Sequence, residues 1–103
     1  MKFAVPVVVD GATQDLLGLF SLHTTSGPVL IVFTNRVKLR DFLESAANMA
    51  ASSGQKAGTV ELEASSIDAL VVKLLAMGLG ANEASIIPDS DPLVDELIRQ
   101  MKT

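Results

Sequence analysis

Hydrophobic and polar positions change period several times along the chain, and each change marks an element. Val29-Leu30-Ile31-Val32-Phe33 is a short, continuous, largely β-branched apolar run entered through the turn signal Ser26-Gly27-Pro28. Such a run reads as a strand buried on both faces. After Thr34-Asn35 the period becomes helical. Leu39, Phe42, Leu43, Ala46 and Ala50 share one face of a helix over about residues 36–51, which Ser52-Ser53-Gly54 stops.

On the amino-terminal side, residues 3–9 form a first strand, and Pro6 assigns it to a sheet edge or a bulge because proline cannot donate to a ladder. Asp10-Gly11 is a turn, and residues 16–23 form a second strand, joined to the third by a short antiparallel hairpin through residues 24–28. On the carboxyl-terminal side, residues 55–58 read as loop. Residues 59–64 alternate as a strand with one wet face, and Ser65 or Ser66 caps a second helix. Its stripe is Ile67, Leu70, Val71, Leu74 and Leu75, ended by Gly78 and Gly80. Residues 84–87 make a brief strand closed by Pro88. Asp91-Pro92 then starts a third helix, with Leu93, Val94, Leu97, Ile98 and Met101 turned inward.

The order βββαβαβα defines an α+β fold, a mixed β-sheet of about five strands with three helices in one domain over residues 1–103. Its alternating second half favours parallel neighbours joined by right-handed crossovers. Three helices are barely enough to cover both faces of such a sheet, so a second subunit is expected over one of them, as a homodimer.

Composition narrows the function classes. The chain has no cysteine, which removes disulfides, thiolate metal sites and cysteine nucleophiles and fits a reducing cytoplasm. Twelve acidic against eight basic residues, with neither Tyr nor Trp, give no electrostatic footprint and no stacking platform for nucleic acid. No apolar run approaches a membrane span, and Met1-Lys2-Phe3 with breaks at Pro6 and Asp10 does not read as a signal peptide. With 49% hydrophobic and only 19% charged residues, the composition suggests surface hidden against a partner.

Candidate chemistry is sparse. Thr34, Asn35 and Arg36, with Lys38 and Arg40 behind them, place cations beside the free amides of a helix start, where an anion or small ligand could sit. The plainer reading is a helix cap with a solvated cationic face, since no glycine-rich loop precedes it. His23 is the lone histidine, and the sequence nominates no partner for it. Glu61 and Glu63 share a strand face and read as its wet side. Asp89-Ser90-Asp91 lacks the glycine and closing glutamate of a calcium loop, and reads as turn plus helix cap. Gly78-Leu79-Gly80 follows a helix, whereas a dinucleotide fingerprint follows a strand. No metal site, cofactor or catalytic residue is expected.

The strand Val5-Pro6-Val7, the segment Val32-Phe33-Thr34-Asn35 followed by Leu39 and Phe42-Leu43, and the late turn Ile87-Pro88 leading into a carboxyl-terminal helix resemble the SseB-like (enhanced serine sensitivity protein B-type) domain family. Around Pro88 the family tends to show Asn-Pro-Gly, whereas this chain has Ile87-Pro88-Asp89. The resemblance implies a small bacterial α+β domain without an assigned active site, and it transfers no catalytic residue. Together these readings point to a non-enzymatic, cytoplasmic, self-associating protein-interaction module. The alternative is a small-ligand or anion binder at the Thr34–Arg36 helix start.

Overall fold

The computed structural model describes residues 1–79 and 84–102. Nine elements follow in order: β1 (Lys2–Asp10), β2 (Leu16–Leu19), β3 (Leu22–Thr24), β4 (Gly27–Val32), α1 (Arg36–Ala51), β5 (Gln55–Glu63), α2 (Ile67–Ala76), β6 (Ser85–Pro88) and α3 (Pro92–Met101). The fold is α+β. Among the described residues six strands form two three-stranded sheets, β2-β1-β5 and β3-β4-β6, rather than one sheet of about five. One isolated antiparallel bridge among the described residues, Ala4 to Phe33, ties the two together.

The stretch expected as one strand over residues 16–23 is two. β2 pairs with β1 and β3 pairs with β4, so the chain changes sheets at Phe20-Ser21. Phe20 is buried there and its ring packs edge-on to Phe42 at 5.7 Å, which anchors the corner. The hairpin from β3 to β4 turns at Thr25-Ser26, with Gly27 at φ 113°, a left-handed value that favours glycine.

Pro6 lies neither on an edge strand nor at the bulge. β1 is the central strand of its sheet, and the irregularity falls between Val8 and Val9. Proline is tolerated because of where its missing donor would point. Toward β5 the ladder is served by odd-numbered residues of β1; the even-numbered ones face the other side, where Ala4 exchanges two bonds with Phe33 and the Pro6 carbonyl accepts from Phe20 N–H at 2.9 Å. Pro6 therefore sits at the seam where the neighbour of β1 changes from β4 to β2.

β5 is also longer than the alternation signalled. Residues 55–58 are strand, not loop, and pair with residues 7–10 of β1. The expected parallel neighbours are realised once, between β4 and β6, while β5 runs antiparallel to β1.

β4 is buried on both faces, and its alternation separates two cores. Val29, Ile31 and Phe33 join Phe42, Ala46, Ala50, Val94, Leu97 and Ile98 under α1 and α3. Leu30 and Val32 join Phe3, Val5, Leu70 and Leu74 under α2. Helices thus cover both faces, so coverage of the sheet does not require a second subunit. The reason is economy of area: with only three strands in each sheet, α2 alone spans the core between Phe3 and Val32.

Two stripe positions point outward instead of in. Leu75 of α2 is 46% exposed and Leu93 of α3 is 45% exposed. The helix starts follow the usual capping chemistry. Asn35 Oδ1 accepts from the Val37 and Lys38 amides, Ser66 Oγ from the Ala69 amide and Asp91 Oδ1 from the Leu93 amide. Gly78, at φ 80°, follows the end of α2, and Gly80 lies outside the described residues.

Candidate functional site

Parallel strands place their carboxyl ends side by side. Val32 of β4 pairs with Pro88 of β6, so the loop leaving β6 is brought against the start of α1. In open sheets a crevice at such an end is a common ligand position. Here a side chain of the protein itself takes the free amides, beside a hollow of about 230 Å³ lined by Thr34, Asn35, Lys38, Asp89 and Ser90. The Asp89 carboxylate, on a residue only 3% exposed, accepts from the Thr34 and Asn35 amides at 2.8 and 2.7 Å and from the Thr34 hydroxyl at 3.1 Å. Lys38 Nζ donates to the Asp89 carbonyl at 2.9 Å and pairs with Asp95 at 3.3 Å. The Asp89 amide donates to the Val32 carbonyl at 3.0 Å.

The place beside Thr34, Asn35 and Arg36 where an anion could sit is thus taken, at the Thr34 and Asn35 amides, by an internal one. The helix start gathers negative charge as its dipole favours, and Asn35 supplies the cap while Asp89 takes the two amides before it. Arg36 stays outside this cluster. Its guanidinium is 80% exposed and lies 3.5 Å from Glu61, which also pairs with Lys2 at 3.8 Å. Between these charges runs a shallow cleft of about 210 Å³ with an apolar floor of Ala4, Phe33 and Leu39. Exposed pairs of this kind contribute little to stability, about 0–1 kcal/mol. Among the described residues no buried side-chain polar atom lacks a partner, so no buried, unsatisfied side chain points into the cleft.

His23 is exposed on β3 beside a second cleft of about 420 Å³, walled by Leu22, Met49, Leu97 and Met101. Among the described residues no hydrogen bond or ion pair reaches its ring. The geometry therefore assembles no nucleophile–base pair around it. Glu63 is exposed, and its carbonyl accepts from Lys73 Nζ of α2. Asp10 closes the turn after β1. Its carboxylate accepts from the Thr13 and Ala12 amides, in that order of effect, and these bonds hold it below the usual aspartate range. Among the described residues no cluster of three or more metal-ligating side chains occurs, and no helix is long and apolar enough to cross a membrane.

Sequence reasoning placed Asp89 in a simple turn and missed its role. The available signal was topological: two parallel strands, each followed by a helix, bring the residues after their ends together. Of the two aspartates past the second strand, Asp91 caps its own helix, which left Asp89 as the natural occupant of the first helix start. Comparison with known protein families, curated proteins and solved structures gives no match.

Proposed function

We propose that the protein is a non-enzymatic, self-associating protein-interaction module of the cytoplasm, and that its likeness to SseB-like domains reflects a shared role of this kind. The observation that carries the reading is the outward surface of α2. A helix that is apolar all round is ordinarily buried. α2 (IDALVVKLLA) has only two charged residues, and it meets the core through Leu70 and Leu74, with Ile67 and Ala69 partly buried against the same cluster. Val72 nevertheless stands 65% exposed and Leu75 46%, with Met77 exposed at the helix end. Clustered apolar side chains left over after the core is filled mark an interaction surface.

The rival reading, a small-anion binder at Thr34, Asn35 and Arg36, draws support from the cations around the 210 Å³ cleft. It is the weaker reading because Asp89 already takes the Thr34 and Asn35 amides.

Light scattering at micromolar concentration in about 0.5 M salt tests the leading reading, since the Debye length there is only a few ångströms and exposed ion pairs are screened while apolar and backbone contacts persist. The expected mass is about twice that of the 10.8 kDa chain. A mass of one chain under these conditions refutes self-association.

A further inference from the structure

Sheet edges are places where another strand can add, and proteins blunt them with short strands, proline, bulges or charge. Three of the four edges here are blunted: β2 has four residues, β3 three, and β6 four with Pro88 at its end. β5 is different. It is nine residues long, has no proline, and keeps an unbroken register with β1 from Gln55 to Glu63.

The direction of its backbone groups follows from the ladder. Ala64 N–H donates to the Met1 carbonyl, so Leu62, Val60, Gly58 and Lys56 turn their backbones toward β1. Gln55, Ala57, Thr59, Glu61 and Glu63 turn theirs outward. Lys73 occupies the Glu63 carbonyl. Among the described residues nothing pairs with the outward N–H and C=O groups of Ala57, Thr59 and Glu61.

We infer that this edge joins the same edge of a second copy, antiparallel, about a two-fold axis at Thr59. The inference rests on the self-association proposed above and names its contact. Thr59 is the middle residue of β5, so this is the register that pairs all nine residues with their counterparts. Its backbone turns outward, so Thr59 and Thr59 of the second copy form a hydrogen-bonded pair.

The same register sets Ala57 opposite Glu61 and Gln55 opposite Glu63 of the second copy, with Val60 opposite Gly58 and Lys56 opposite Leu62. No like charges stand opposite one another. A four-residue slip that centred the axis on Glu61 would oppose two carboxylates, which cross-strand pairing disfavours. Glu61, which would otherwise guard the edge, is drawn back by Lys2 and Arg36. A two-fold normal to the sheet keeps each face on its own side, so both α2 helices share one face of the joined six-stranded sheet. Their exposed Val72 and Leu75 side chains then lie on the same face of that sheet.

The chain lacks cysteine, which makes a direct test available. Facing residues in a hydrogen-bonded antiparallel pair have Cα atoms about 5.5 Å apart, within disulfide range. Under mild oxidation Thr59→Cys should therefore cross-link to twice the chain mass on a non-reducing gel, whereas Ser26→Cys, exposed on the β3–β4 turn and off the edge, should remain at 10.8 kDa. Thr59→Pro removes an outward N–H without touching the ladder to β1. It should keep the wild-type circular dichroism spectrum and reduce the scattering mass from two chains to one.

A wild-type dimer that persists in Thr59→Pro and does not cross-link through Thr59→Cys overturns the edge contact and leaves self-association standing. A wild-type mass of one chain overturns both. Should Thr59→Pro fail to fold, the cross-link decides, and its absence in a dimeric Thr59→Cys variant overturns the inference.

Discussion

Removal of the Asp89 carboxylate should loosen the junction of β4, β6 and α1, and the structure sets the size of the effect. Two charge-assisted bonds from the Thr34 and Asn35 amides converge on Oδ2 at 2.8 and 2.7 Å, with the Thr34 hydroxyl on Oδ1. Bonds to a charged group contribute about 1.5–3 kcal/mol each, against about 0.5–1.5 for neutral ones. Asp89→Asn keeps an acceptor at Oδ2 and loses the charge. Its amide nitrogen faces the Thr34 hydroxyl, which can rotate to accept. The expected cost is therefore the difference over two bonds, less the relief of a buried charge, or about 1–2 kcal/mol.

Asp89→Ala removes the acceptor altogether. Thr34 and Asn35 are exposed residues, so water recovers part of the loss, and the expected cost is about 2–4 kcal/mol. Urea melts of the two variants beside wild type, with Ser90→Ala as an exposed neutral control, measure these values at unchanged m. Amide exchange at Thr34 and Asn35 should quicken more than at Val5 in the β1 ladder. An Asp89→Ala variant within about 0.5 kcal/mol of wild type would show that the internal anion does not hold the junction.

Two further outcomes follow from the same geometry. Leu74 is fully buried and Lys73 exposed on α2, so Leu74→Ala should cost about 2–5 kcal/mol and Lys73→Ala stay within about 0.5 kcal/mol of neutral; equal losses in urea would contradict the helix register. Millimolar phosphate should leave the melting temperatures of wild type and Arg36→Ala equally unmoved, because Asp89 already holds the amides beside Arg36. Stabilisation of wild type alone would instead favour the anion-binding reading.

Local pattern determined the elements of this protein. The run from Val29 to Phe33 declared a strand buried on both faces, and the structure divides it between two cores by simple alternation. The helix start at Asp91 was legible outright and those at Asn35 and Ser66 to within one residue, because capping depends on residues two or three positions apart. What stayed hidden depends on partners distant in the chain. Residues 55–58 carry no strand pattern and become one because β1 offers nine paired positions to them and their neighbours. Pro6 is central, not peripheral, because the strand beside it changes at that residue. Phe20-Ser21 breaks an apolar run because its two halves find different sheets. The Thr34–Arg36 site was visible as a helix start but not as an occupied one. Asp89 lies 55 residues from Thr34 in sequence, and only the parallel pairing of β4 with β6 brings its charge to the free amides. Local periodicity reports which face of an element is apolar; it carries no information on which element will cover that face, and that choice was made by tertiary packing.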